Sequence, residues 1–438
     1  MQRIKLSKVS RLAVTTLISV SVMLGCWLVS PVFPTMVKPH SALFDQVWQT
    51  VNNNFYDPNF NGVDWEAMKS KYEPKVRQAQ SSEEVAALVN QMLGELKTSH
   101  THFYTANEPA YYQILGIFAP RSSDLQQQLK KFFAKGNIEY TGIGIFTKDT
   151  DGKTFISAIL DGSPAEKAGL MVGDRILSVE GSPFQPIQSF AGKAGQKVSL
   201  LIERSQSVSG RESPEPNTQQ EIAVTPKMLD AITMFVDAMA ASTQVIEREG
   251  KKIGYIHIWS YAGDKYQQQL EEELIYGRLQ DADGFVLDLR YGWGGAPQTA
   301  LNIYTARDLT ITSIPRDRTR NTYHSQWKKP VVMLVNEGSR SAKEILALGF
   351  QQYGIGPVVG AKTAGAVVAG RPFLMQDGSI LYVAVADVYV NGDQRLEGNG
   401  VTPDIIVPFS PEYAQGADPQ KERAIEVALE AVNQRKRD

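Results

Sequence analysis

Three short apolar runs lie between Ile253 and Val335: Gly254-Tyr255-Ile256-His257-Ile258, Gly284-Phe285-Val286-Leu287-Asp288-Leu289 and Val331-Val332-Met333-Leu334-Val335. Helix-length stretches separate them. Runs that stay apolar throughout read as strands covered on both faces, and strands alternating with helices pair in parallel. The expectation is an α/β core within a mixed α/β, multidomain chain. Its length accommodates two or three domains.

Upstream the period changes. Phe44, Val47, Trp48 and Val51 recur at helical spacing. Asp64-Trp65-Glu66 opens a second helix. Ser81-Ser82-Glu83-Glu84 opens a third, which carries Val85, Leu88, Val89, Met92 and Leu93 and ends at Gly94. Residues 106–139 are aromatic and Gln-rich, and read as an insertion or a partner surface. Short β runs follow from Tyr140 to Arg204. The Ser-, Pro- and Glu-rich stretch Ser205 to Gln220 reads as an exposed loop. An amphipathic helix from Pro419 is expected to dock on the surface. The boundaries read as a targeting segment (1–40), a helical region (41–139), a β domain (140–228), the α/β core (229–415) and a C-terminal helix (416–438).

The last apolar run leads into Asn336-Glu337-Gly338-Ser339-Arg340-Ser341-Ala342-Lys343-Glu344. This reads as strand end, tight turn and helix start. A serine there sits beside unpaired N–H groups that can stabilise an anion, which suits a nucleophile with its oxyanion hole. It also suits an ordinary N-cap. The formal net charge of -2 offers no general attraction to nucleic acid. Cys26 is the only cysteine, so neither a zinc spacing nor a disulfide within the chain is available. No metal or organic cofactor is implied.

Arg3, Lys5, Lys8 and Arg11 precede an apolar run from Leu12 to about Phe33. That pattern reads as an export signal or an uncleaved membrane anchor, with the remainder of the chain extracytoplasmic. Met23-Leu24-Gly25-Cys26 resembles a lipoprotein box, but Trp27-Leu28-Val29 continues the apolar run and argues against lipidation.

Tyr140-Thr141-Gly142-Ile143-Gly144-Ile145, followed by Gly162-Ser163-Pro164-Ala165-Glu166-Lys167-Ala168-Gly169-Leu170 and Gly173-Asp174-Arg175-Ile176, resembles a PDZ domain of the bacterial protease type. The resemblance makes Gly142, Ile143, Gly144 and Ile145 the loop that holds a peptide carboxylate, beside a strand edge open to an added strand. A bare Gly-x-Gly would equally shape a hairpin.

Asp288-Leu289-Arg290-Tyr291-Gly292-Trp293-Gly294-Gly295 is similar to the Asp-x-Arg-x-Asn-x-Gly-Gly segment of the carboxyl-terminal processing (tail-specific) proteases, with Gly292 in place of Asn. The Ser341 turn matches their Ser-Ala-Ser-Ala-Ser-Glu segment, and Glu397-Gly398-Asn399-Gly400-Val401-Thr402-Pro403-Asp404 matches further on. The resemblance covers nearly all of residues 41 to 410 and implies a core of the crotonase-like kind. It also implies Ser341 as nucleophile, with the N–H groups of Gly294 and Ala342 as oxyanion hole. The processing branch activates its serine with a lysine; here Ala366 occupies that position. The tricorn-like branch uses histidine in a Gly-Glu-Leu-x-x-Ser-His segment. Gly94-Glu95-Leu96-Lys97-Thr98-Ser99-His100 is a close match. The implied set is Ser341 nucleophile, His100 base, Ser99 orienting His100, and Glu397 completing the network.

Three alternatives stand beside it. Lys362 or Lys343 could serve as base if buried enough to lose its proton. His102 would share the face of His100 if both lay on one strand. The chain could be a catalytically inactive, PDZ-bearing peptide-binding scaffold. The expected function is an extracytoplasmic serine endopeptidase acting on polypeptides presented by their C-termini.

Overall fold

The computed structural model describes residues 39–133, 136–205 and 218–435. The basic and apolar N-terminal segment lies outside these residues, as does most of the 205–220 stretch. Among the described residues no helix is long and apolar enough to cross a membrane.

The core is a six-stranded sheet in the order Ile405–Ile406, Val358–Gly360, Val331–Val335, Gly284–Asp288, Lys251–His257 and Gln244–Arg248. The first five pair in parallel; the last is an antiparallel edge. Strand alternation sends Ile256, Leu287, Met333 and Val358 to one face and Tyr255, Val286, Val332, Leu334 and Val359 to the other, and all are buried. The helix Pro419–Arg435 covers the second face with Ala424, Ile425, Ala428 and Val432. That double coverage explains why these strands read as continuous apolar runs.

The helices Pro39–Asn54, Trp65–Gln78 and Ser82–Gly94 form a separate cluster. Asp64 and Ser81 cap the last two, accepting from the N–H groups of Ala67 and Glu84. The cluster packs on Leu381, Val383 and Ala384 of the strand Ile380–Ala386. The strand His102–Tyr104 pairs antiparallel with that same strand. The end of the third helix is thereby carried to the core.

The described part of the 106–139 stretch packs into the fold. The helices Pro109–Phe118 and Ser123–Leu129 bury Tyr111, Ile114, Leu115, Leu125 and Leu129 against Ile138, Ala231 and Ile380. Tyr111, Ile114 and Leu115 have helical spacing, which the aromatic composition obscured.

The PDZ-like segment is a five-stranded antiparallel sheet, Ile145–Thr150, Lys153–Ile159, Arg175–Val179, Val198–Arg204 and Thr218–Val224 in that order. It has its own core around Ile156, Leu200 and Ile202. Trp259 ties it to the α/β core. The Trp259 indole N–H donates to Asp161 Oδ2 at 2.8 Å, and its ring stacks on Phe146 at 5.4 Å and on His257 at 3.9 Å.

One buried ion network joins the core sheet to the C-terminal helix. Asp288 has no exposed surface and accepts from the Tyr255 hydroxyl (2.8 Å), the Arg290 N–H (2.9 Å) and the Arg290 guanidinium (2.7 Å). Arg290 also binds Asp418 through two nitrogens at 2.7 Å. Burial pushes the Asp288 carboxyl up, but Arg290 outweighs it and holds the group ionised. Removing one partner leaves the other as an uncompensated buried charge. Arg290→Met should lower unfolding free energy at pH 7 by about 3–5 kcal/mol in urea titration; a loss below about 1 kcal/mol would mean the network carries no stability.

Candidate active site

The turn after Val331–Val335 is braced from within. Ser339, fully buried, donates its hydroxyl to the Leu289 carbonyl at 2.9 Å and accepts from the Asn336 N–H at 3.0 Å. Its role is to lock the turn. Ser341 precedes the helix Ala342–Gln352 at φ 60°, ψ −133°. An N-cap normally lies in the extended region with negative φ. A non-glycine residue held here stores on the order of 1–3 kcal/mol, a cost that concentrates at functional sites. The Ser341 N–H donates to the Ala366 carbonyl at 2.8 Å and to Glu344 Oε2 at 3.2 Å. Glu344 also takes the Thr363 hydroxyl and the N–H groups of Gly365 and Ala366, at 2.6–2.8 Å. Glu344 occupies the third helical position, where a capping box would predict a glutamate.

The loop 291–295 closes on this turn. Tyr291 and Gly292 both have positive φ, and a Cβ on Gly292 would lie 1.8 Å from the Trp259 carbonyl oxygen. Only glycine fits, which accounts for the missing Asn. A Cβ on Gly294 would lie 2.5 Å from Ser341 Cβ and 3.0 Å from the Ala342 nitrogen. The N–H groups of Gly294 and Ala342 donate to no protein acceptor among the described residues. Two unpaired donors therefore flank Ser341.

The lysine candidates separate. Lys362 is exposed. Lys343 is fully buried, and burial pushes its pKa down to about 7, but its ammonium is engaged by the carbonyls of Trp259 (3.1 Å) and Tyr291 (2.8 Å). It holds the 291–295 loop.

Ser99, His100 and Glu397 come together from positions some 298 residues apart in sequence. Ser99 Oγ lies 2.8 Å from His100 Nδ1 and 2.9 Å from Glu397 Oε2, and the Ser99 N–H donates to Glu397 Oε1 at 2.8 Å. An ionised carboxylate only accepts, so the Ser99 hydroxyl gives its proton to Glu397 and accepts from His100 Nδ1–H. That assignment leaves Nε2 as the basic nitrogen. Burial, then the charge of Arg340, pushes the His100 pKa down to about 3 against the pull of Glu397, so the imidazole is neutral. Burial pushes Glu397 up, but the N–H groups of Ser99, Val367 and Val368 outweigh it. His102 stands apart, half-exposed and 3.9 Å from Glu108. His100 has φ 56° and lies in a turn, so strand alternation does not relate the two.

The two halves meet on one short segment. The Ala366 carbonyl holds the Ser341 N–H, and the N–H groups of Val367 and Val368 donate to Glu397 at 2.7 and 3.1 Å. Among the described residues no direct hydrogen bond joins Ser341 to His100. A cavity of about 600 Å³ adjoins the turn and is lined by Gly142 to Phe146, Trp293, Arg340 and Ala366. It runs from the PDZ-like loop to the neighbours of Ser341. Arg340 and Gln113, which fixes the Trp293 indole at 2.9 Å, carried no sequence signal.

Residues 252–407 match peptidase family S41, residues 38–94 a tricorn protease C1 domain and residues 155–204 a PDZ domain. The chain is similar to tricorn protease homolog 1 of Streptomyces coelicolor, 26% identical over 408 residues, covering 90% of this chain and 35% of that one. It is also similar to the carboxyl-terminal-processing protease of Synechocystis sp., 27% identical over 381 residues, covering 83% of this chain and 79% of that one. It thus spans about a third of the tricorn homologue. The crystal structure of the tricorn protease shares the fold with a TM-score of 0.52 at 19% identity, over 90% of this chain and 37% of that one.

The buried imidazole has a consequence for stability. In the unfolded chain His100 protonates near its ordinary pKa of about 6.5, whereas the folded group does not until about 3. Stability from this residue is complete above pH 6.5 and falls as pH drops below it, by about 1.4 kcal/mol per unit. Unfolding free energies measured between pH 6 and pH 4 should fall less steeply in His100→Asn than in wild type by that amount. Parallel slopes would show that His100 titrates normally.

Proposed function

From a peptidase family S41 core at residues 252–407 and a PDZ domain at 155–204, we propose that this chain is a serine endopeptidase with Ser341 as nucleophile and His100 as base. Ser341 Oγ attacks the scissile carbonyl while His100 Nε2 takes its proton. The oxyanion develops toward the N–H groups of Gly294 and Ala342. His100 then protonates the leaving amine, and water repeats the sequence on the acyl-enzyme. Ser99, backed by Glu397, holds the ring in the tautomer this requires. The carrying observation is the strained Ser341 backbone flanked by two unpaired N–H donors. Lysine catalysis has less support, since Lys362 is exposed and Lys343 is engaged elsewhere.

The substrate enters through the PDZ domain in this reading. The N–H groups of Ile143 and Gly144 have no protein acceptor among the described residues, which suits a peptide carboxylate. Ile145–Thr150 is an edge strand, open to an added strand. The cavity leads from that loop toward Ser341. The basic and apolar N-terminus supports an extracytoplasmic location with membrane contact through that segment; cell fractionation tests it. The competing reading is a peptide-binding scaffold, favoured by the missing Ser341–His100 hydrogen bond, although such bonds often tighten only with substrate.

Ser341→Ala and His100→Ala should each lower kcat/KM on peptides by on the order of 10⁴-fold, with Lys362→Ala close to wild type. A fluorophosphonate should label wild type and not Ser341→Ala. Wild type that neither labels nor cleaves any peptide of a library would leave the scaffold reading. Full activity in His100→Ala would remove the histidine from the mechanism. For the PDZ route, Gly144→Val forces a Cβ to within 2.6 Å of Ser163 Cβ at φ 79°. It should weaken binding of peptides with a free C-terminus by about tenfold or more, measured by fluorescence anisotropy; unchanged binding would exclude that loop.

A further inference from the structure

Arg340 is adjacent to the nucleophile in sequence, lines the cavity, and has no use in the chemistry above. Its guanidinium lies 5.3 Å from the Trp293 ring centre, and that ring is held in place by Gln113. Its Nε is buried without a hydrogen-bond partner among the described residues. Among the described residues no carboxylate forms an ion pair with it. Glu337, the other charged residue lining the cavity, is exposed and makes no ion pair with it. Arg340 is half-buried, and other arginines withdrawn from solvent among the described residues have anionic partners: the buried Arg290 has Asp288 and Asp418, and the half-buried Arg204 has Asp174. Buried polar groups are hydrogen-bonded in nearly all cases, and an exception calls for an explanation such as a functional role, a water or an ion; at the wall of a substrate-sized cavity a bound ligand is one such partner.

We propose that Arg340 is a specificity-determining residue that receives a carboxylate of the bound peptide beside the scissile bond. The planar guanidinium, stacked on Trp293, offers a fork that a carboxylate can take through two hydrogen bonds, and such a pair is directional as well as strong. The carboxylate has two sources, an Asp or Glu side chain flanking the scissile bond or the free C-terminus of a short substrate. Its arrival has a second effect. Arg340 is, after burial, the next cause holding His100 neutral. A carboxylate seated on Arg340 screens that charge and makes Nε2 more basic. Acidic peptides therefore gain in kcat as well as in KM.

This inference rests on the serine peptidase reading. The test uses the full chain and four matched peptides, with Glu or Gln beside the scissile bond, each as free acid or C-terminal amide. Wild type should favour the carboxylate-bearing peptide by on the order of 10–100-fold in kcat/KM. A Glu/Gln ratio that persists in the amides identifies the side chain; an acid/amide ratio that persists with Gln identifies the chain end. In Arg340→Gln the ratio should collapse toward one, and in Arg340→Glu it should invert. Arg340→Lys should keep the charge preference at reduced strength. The acid limb of kcat should lie at higher pH for the carboxylate-bearing peptide than for its neutral partner, and the two should coincide in Arg340→Gln. A wild type indifferent to the carboxylate, or variants that lose all four peptides in proportion while the ratio stays, would overturn the assignment. Fluorophosphonate labelling keeps the two readings apart: an enzyme that labels and cleaves without preference defeats only the role of Arg340, and one that does neither defeats the peptidase reading beneath it.

Discussion

Four consecutive backbone N–H groups, from Gly365 to Val368, end on two buried carboxylates. Gly365 and Ala366 donate to Glu344, and Val367 and Val368 donate to Glu397. Charge-assisted hydrogen bonds of this kind are shorter and stronger than neutral ones. Neither carboxylate serves the segment alone. Glu344 also takes the Ser341 N–H, and Glu397 takes Ser99 through both its N–H and its hydroxyl. One short piece of chain thus sets the distance between the serine half and the histidine half of the proposed site. Ala366 stands in its middle, where the processing proteases carry lysine. Its carbonyl, rather than a side chain, touches Ser341.

Trp259 performs the corresponding task between domains. Its ring is packed between Phe146 of the PDZ sheet and His257 of the core, and its indole N–H binds Asp161. Its carbonyl receives the Lys343 ammonium and the Trp293 N–H. Trp293 in turn carries Arg340 on its face. A displacement of the PDZ sheet would act on the 291–295 loop through these contacts, and with it on Gly294 beside Ser341. In the proposed reading, coupling of peptide binding to the geometry of the site has a physical route in stacked rings and a shared carbonyl.

Much of this is legible in the sequence. The three apolar runs appear as adjacent parallel strands because period and run length are local properties. Ser99, His100 and Glu397 are grouped by the resemblance of their segments to the tricorn-like branch, and the fold brings the three side chains together. The helices within residues 106–139 are not legible individually because their helical period is weak against an aromatic background. His102 seemed to share a face with His100 because alternation assumes a strand, and His100 adopts a left-handed turn instead. Arg340 and Gln113 gave no signal because their meaning lies in what surrounds them.

The chain alone determined the three central core strands and the first three helices, where the turn at Ser341 falls, and that alanine rather than lysine stands at position 366. Tertiary structure decided which groups are satisfied. Ser339 is used up inside the turn, Lys343 is engaged by two carbonyls, Ser99 has Glu397 behind it, and Arg340 has a buried nitrogen without a partner among the described residues. Periodicity and residue type are carried along the chain, one neighbour at a time. Hydrogen-bond satisfaction and desolvation depend on groups brought together from hundreds of residues away, and only the folded arrangement sets them.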